Sequence, residues 1–183
     1  MTGLILVLAP VALVLLWGVA TFNRFVRLRQ HIKESWSDID VELKRRYELI
    51  PNLVATVKGY AAHEREVLES VTELRNRAAA SRGSAASQAV AESALMLGMK
   101  KLFAVVEGYP ELKASSNFIS LQEQLAETED RIAAARRFFN GNVRDMNVTL
   151  QSFPTSIVGS MFNFEPGTFF KLDAEAERVV PRV

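Results

Sequence analysis

The chain has no cysteine and only two histidines among its 183 residues. Without cysteine there is no disulfide framework, no thiol nucleophile and no thiolate metal site, although the compartment stays open. His63-Glu64 begins like a helical zinc-protease motif, but the position four residues after His63 is Val67, so the second histidine ligand is missing. The other histidine, His31, has no ligand set around it in the sequence. No GxxxxGK[ST] or GxGxxG phosphate loop occurs, Gly59 and Gly83 being isolated. Serine-based catalysis lacks a convincing histidine partner. The formal charge of +1 lacks the strongly basic footprint of a nucleic-acid binder, so no nucleic-acid partner is expected. No catalytic, cofactor-binding or metal-binding residue is assigned, and no enzyme activity is expected.

Charge is also absent from residues 1–23, where Leu4 to Phe22 is an apolar run long enough to cross a hydrocarbon core as a helix. This segment reads as a transmembrane anchor. Pro10 is tolerable within it, and Trp17 and Phe22 lie toward one end as interfacial aromatics do. A cleaved signal peptide is the competing reading, because Gly18-Val19-Ala20 resembles a small-x-small cleavage site. Against it, no Lys or Arg precedes the apolar run. Arg24, Arg27, Arg29 and Lys33 crowd the far side, which the positive-inside bias assigns to the cytoplasm, leaving a short N-terminus outside. The same four residues are candidate contacts for anionic lipid headgroups, each contributing on the order of 1 kcal/mol near the surface.

Residues 24–150 carry helical periodicity. Leu28, Ile32, Trp36, Ile39, Leu43, Tyr47 and Ile50 recur at steps of three or four, and a second stripe runs from Leu53 through Val57 and Tyr60 to Val67, Val71 and Leu74. That second stripe is interrupted at Glu64. Pro51 predicts a kink or break after Ile50, with a new helix opening at Pro51. Ser81 to Ser87 reads as a loop. A third stripe takes in Leu95, Met99, Leu102 and Val106, and a fourth runs from Phe118 to Met146. The expected fold is therefore all-α: an N-terminal transmembrane helix followed by a long antiparallel bundle of about four helices.

Ionisable groups in this region pair at helical spacing: Asp40 with Lys44, Glu42 with Arg46, and Glu127 with Arg131. They predict a solvated, salt-bridged face. A catalytic constellation of Asp38, His63 and Glu129 is the minority alternative. Asn52, Asn117, Asn140 and Asn147 are candidates either for buried amides or for caps. In the tail, residues 151–183, aromatic side chains accumulate: Phe153, Phe162, Phe164, Phe169 and Phe170 are candidate assembly or lipid contacts. They could be covered by the same chain, by a neighbouring subunit or by lipid. Ala174 to Val183 reads as a frayed end.

Residues 36–64, "EGYPELKASSNF" at 107–118, "TEDRIAAARRFFNGNVRDMN" at 128–147 and "FPTSIVGSMFNF" at 153–164 together closely resemble the signature of the LemA family. The resemblance implies a bacterial inner-membrane protein with one N-terminal span and a cytoplasmic helical bundle. It carries no established reaction. Signature positions such as Trp36, Asp38, Asp40, Arg45, Arg46, Tyr47, Pro51, Asn52, Tyr60, His63, Glu129, Arg136, Arg137 and Asn140 are then residues of fold or assembly. The leading expectation is a self-associating scaffold in contact with membrane lipid. An adaptor to a membrane protease, suggested by the family's gene neighbourhoods, is the alternative.

Overall fold

The computed structural model describes residues 2–81 and 83–172, with side chains from residue 8 onward. Residues 173–183, where the frayed end is expected, lie outside the described residues. Among the described residues six helices follow in order: α1 (Thr2–Tyr60), α2 (Arg65–Ala80), α3 (Ala85–Val106), α4 (Pro110–Lys113), α5 (Ser116–Gln151) and α6 (Thr155–Met161). No strand occurs among the described residues. The all-α expectation holds.

Helix α1 corrects the reading of Pro51. It passes through that residue without a break, and the chain reverses instead at Ala61–Glu64, where the second stripe lost its apolar position. A proline inside a helix cannot donate to the carbonyl four residues back, here Tyr47. Arg75 of α2 replaces that bond: its Nε donates to the Tyr47 carbonyl at 2.9 Å. The defect is satisfied from a neighbouring helix, so the helix need not end.

The loop after α2 is shorter than expected, because α3 starts at Ala85 with Ser84 as its N-cap, accepting from the Ser87 amide. Helices α2 and α3 approach closely at Gly98, where a Cβ would come 2.7 Å from Leu74 Cδ1, the end of a flexible side chain.

The chain forms two compact units, whose described parts are residues 2–36 with 138–167, and residues 37–137 with 168–172. In the first unit, Phe25, Met146 and Val158 form a buried cluster against which Phe22, Leu28, Ile32, Leu150 and Phe164 pack. Trp36 meets Phe139 with ring centroids 5.3 Å apart, so α1 and α5 run antiparallel here. Asn142 ties them by donating to Ser35 Oγ at 3.1 Å and the His31 carbonyl at 3.3 Å. That amide was not among the four asparagines singled out from sequence; of those, Asn52 and Asn117 are exposed.

In the second unit the buried apolar side chains come from α1 (Ile39, Leu43, Ile50, Leu53, Val57), α2 (Leu68, Val71), α3 (Leu95, Met99, Leu102, Val106) and α5 (Phe118, Leu125, Ile132). Each such side chain contributes roughly 1.5–3 kcal/mol when fully buried. Gln88 reaching the Ala78 carbonyl, and Arg75 reaching Tyr47, show that α1–α2 and α2–α3 are antiparallel hairpins.

Candidate functional site

Ile39, Leu43, Arg46, Tyr47 and Ile50 occupy one face of α1, so helical geometry turns Arg46 inward with the core residues. On α3 the same rule places Gln88 and Glu92 on the stripe that continues to Leu95, Met96 and Met99. The result is a buried ion cluster. The Arg46 side chain is 1% exposed, Glu92 0% and Glu129 of α5 17%. Arg46 Nη1 donates to both Glu129 oxygens, at 2.8 and 3.1 Å, and contacts Met96 Sδ at 3.2 Å, while Nη2 donates to Glu92. Tyr47 donates its hydroxyl to the other Glu92 oxygen, and Gln88 Nε2 reaches that oxygen at 2.7 Å.

This overturns the expected Glu42–Arg46 surface pair. Glu42 instead approaches Arg45 at 3.8 Å and Arg131 at 3.9 Å. The signal was present in the sequence: Arg46 and Glu92 both sit in register with core stripes, where an unpaired charge would be prohibitive. The other two pairs form as read, Lys44 to Asp40 at 2.6 Å and Arg131 to Glu127 at 2.5 Å, all four side chains being substantially exposed.

Burial acts to lower the Arg46 pKa, but the carboxylates of Glu129 and Glu92 outweigh it and hold the guanidinium above its ordinary value. Burial also pushes the Tyr47 phenol up, and the adjoining Glu92 carboxylate adds to the shift. Because the folded value lies above the unfolded one, the protonated phenol stabilises the fold fully below the unfolded value of about 10. That contribution is lost as pH rises beyond it. Urea midpoints measured against pH should fall above about pH 10, and Tyr47→Phe should flatten that alkaline fall. An equally steep fall in the variant would remove Tyr47 as its source.

Arg46 faces Glu92 and Glu129 and each of those carboxylates faces Arg46, an arrangement that fixes helix register. The Asp38, His63, Glu129 constellation does not assemble. Asp38 and Tyr60 are separated along one continuous helix by about 33 Å at 1.5 Å per residue, with exposed His63 in the turn just beyond. Glu129 is bound to Arg46. Among the described residues no group of three or more His, Asp or Glu side chains is placed to hold a metal ion.

A second notable surface lies in the first unit. Leu13, Val14, Leu15 and Leu16 of α1 are 64 to 67% exposed, and α1 is long and apolar enough to cross a membrane. Arg24, Arg27, Arg29 and Lys33, next along the helix, are all exposed. Of the tail aromatics, Phe164 stacks on Phe25 at 4.8 Å and Phe170 is buried, whereas Phe153 and Phe162 stay on the surface. Phe169 is half-buried, with Lys171 Nζ 5.2 Å from its ring. The tail is thus partly internal packing and partly free contact surface.

These features define an all-α protein with a membrane-crossing type of N-terminal helix and an ion-locked helical body. The chain belongs to the LemA family, whose model it matches over residues 35–183. It is 24% identical over 174 residues to magnetosome protein MamQ of Magnetospirillum gryphiswaldense, covering 81% of this chain and 64% of that protein. Magnetosome protein MamQ 2 of Paramagnetospirillum magneticum is 24% identical over 175 residues, covering 82% and 64%. Protein LemA of Metamycoplasma hominis is 26% identical over 157 residues, covering 86% and 71%. The matched region therefore spans just under two thirds of the magnetosome relatives.

Proposed function

We propose that this chain is a non-enzymatic scaffold of the bacterial inner membrane, anchored by α1, that self-associates and organises or shapes the bilayer. The observation that carries this reading is the exposed apolar surface of α1, which gives way directly to four exposed basic residues. That order suits a single span with its short N-terminus outside and the basic side, with the helical body, in the cytoplasm. The ion cluster supports a structural role, since its charged groups are committed to one another. The relatives' name points to a cellular structure and not to a reaction.

The test is extraction of the full-length protein in mild detergent, followed by particle mass and identification of every component. A uniform particle holding several copies of this chain alone is expected. Monomer at all protein levels, by cross-linking in native membranes, would remove self-association. A small particle carrying a stoichiometric membrane protease would instead support an adaptor.

A further inference from the structure

Residues 146–164 carry no charged side chain, with Asp145 before them and Glu165 after. This stretch leaves the end of α5, forms α6 and returns. Its base is closed by Asn147, whose amide donates to the Gly167 carbonyl at 3.0 Å and accepts from the Gly167 amide at 2.8 Å. After α6, Asn163 turns the chain back with φ 52°, a left-handed conformation that asparagine tolerates. Val158 packs into the Phe25–Met146 cluster, and Gly159 lets α6 lie close, since a Cβ there would come 2.7 Å from Leu150 Cδ2 and 3.3 Å from Phe25. The opposite side is bare and uncharged, with Ile157 and Met161 exposed beside Ser160, and Phe153 just before α6 is 83% exposed.

Several backbone groups of this excursion find partners within the chain, from side chains as well as from backbone, although the Phe153 amide finds none among the described residues. Thr155 Oγ1 donates to the carbonyls of Thr149 at 2.6 Å and Ser152 at 2.9 Å, and Ser152 Oγ to that of Val148 at 2.7 Å. Pro154 has no amide to satisfy. Beyond α6 the amides of Phe162, Asn163 and Phe164 return to Val158, Ser160 and Gly159. Water would satisfy these groups in an exposed loop, whereas hydrocarbon demands internal partners.

Phe162 meets Phe22 edge to face at 4.8 Å, and α6 forms one wall of an apolar groove of about 510 Å³ whose other wall is α1 from Val14 to Phe22. That part of α1 is the half of the apolar run next to Arg24, about 12 Å long at 1.5 Å per residue, against about 15 Å for half a hydrocarbon core. Arg29 lies 5.4 Å from the Phe164 ring, so the basic collar sits at the base of the excursion.

We propose that residues 146–164 form a re-entrant hairpin embedded in the leaflet next to the basic collar, with acyl chains of that leaflet filling the groove between α6 and α1. This rests on the reading of α1 as a membrane span. One leaflet then holds two apolar segments where the other holds one. Area is added to a single leaflet, which is a physical means of bending or marking a membrane.

The absence of cysteine allows one to be placed at will. Met161→Cys and Ile157→Cys, with Leu13→Cys in the anchor and Val90→Cys at an exposed position of α3 as references, carry a nitroxide in the full-length protein. The protein is reconstituted in phosphatidylethanolamine–phosphatidylglycerol vesicles, and collisions with oxygen and with a water-soluble nickel chelate are measured. The expected oxygen-to-nickel ratio at positions 161 and 157 matches that at 13 and exceeds that at 90 by about tenfold, because a charged chelate is excluded from hydrocarbon. Nickel access at 161 equal to that at 90, with 13 protected, overturns the hairpin and leaves the anchor standing. Nickel access at both 13 and 161 overturns the two together. Shielding of 161 from both reagents would mean that protein, not lipid, covers α6, and it overturns the proposal.

Discussion

Arg46→Ala is expected to destabilise the protein by about 3–5 kcal/mol, because it leaves the Glu92 carboxylate buried without its cation. Chemical unfolding of the full-length chain in mild detergent, followed by helical circular dichroism, reads the change. Arg46→Lys should recover only part of it, since one ammonium cannot reproduce a planar fork that holds Glu129 with one nitrogen and Glu92 with the other. Glu92→Gln keeps shape while removing charge, and its cost combined with Arg46→Met should fall short of the sum of the two by at least about 1 kcal/mol, the mark of coupled groups. Lys44→Ala, in the exposed pair with Asp40, should stay within about 0.5 kcal/mol. If Arg46→Ala were as mild as Lys44→Ala, the cluster would not be what holds α1, α3 and α5 together.

Arg75→Met should cost about 1–3 kcal/mol, the penalty of leaving the part-buried Tyr47 carbonyl unsatisfied. The decisive comparison is with Pro51→Ala. That change returns an amide to position 51, so the Tyr47 carbonyl regains a donor from its own helix, and it removes a helix-interior proline that disfavours the helix by about 3 kcal/mol. Arg75→Met in the Pro51→Ala background should therefore be nearly silent, apart from lost packing of the arginine stem. Equal costs in the two backgrounds would show that Arg75 acts through something other than the orphaned carbonyl.

Much of the architecture was legible because helices repeat every 3.6 residues. The stripe Ile39, Leu43, Tyr47, Ile50 and the stripe Leu95, Met99, Leu102, Val106 were both readable from spacing, and both are buried. The polar lock is not visible at local spacing. Reading charges in (i, i+4) pairs treats them as surface by default, and Glu42–Arg46 satisfied that local rule while register placed Arg46 with the core. Pro51 was misread for a related reason: its local penalty is real, but a donor supplied by a residue in another helix offsets it. The tail aromatics, uniform in sequence, separated into partly buried Phe164, buried Phe170 and exposed Phe153 and Phe162 only through the path of the chain.

The sequence alone determined the helical class, the apolar N-terminal segment with its basic flank, and which residues share a helical face. Each of these depends on composition or on neighbours three and four positions away. Tertiary structure alone decided which charges are buried, that α1 continues past Pro51, and that residues 146–164 fold back beside α1. The partners involved are Arg46 with Glu92 and Glu129, Tyr47 with Arg75, and Phe22 with Phe162. They are far apart in the chain, and packing, not periodicity, brings them together.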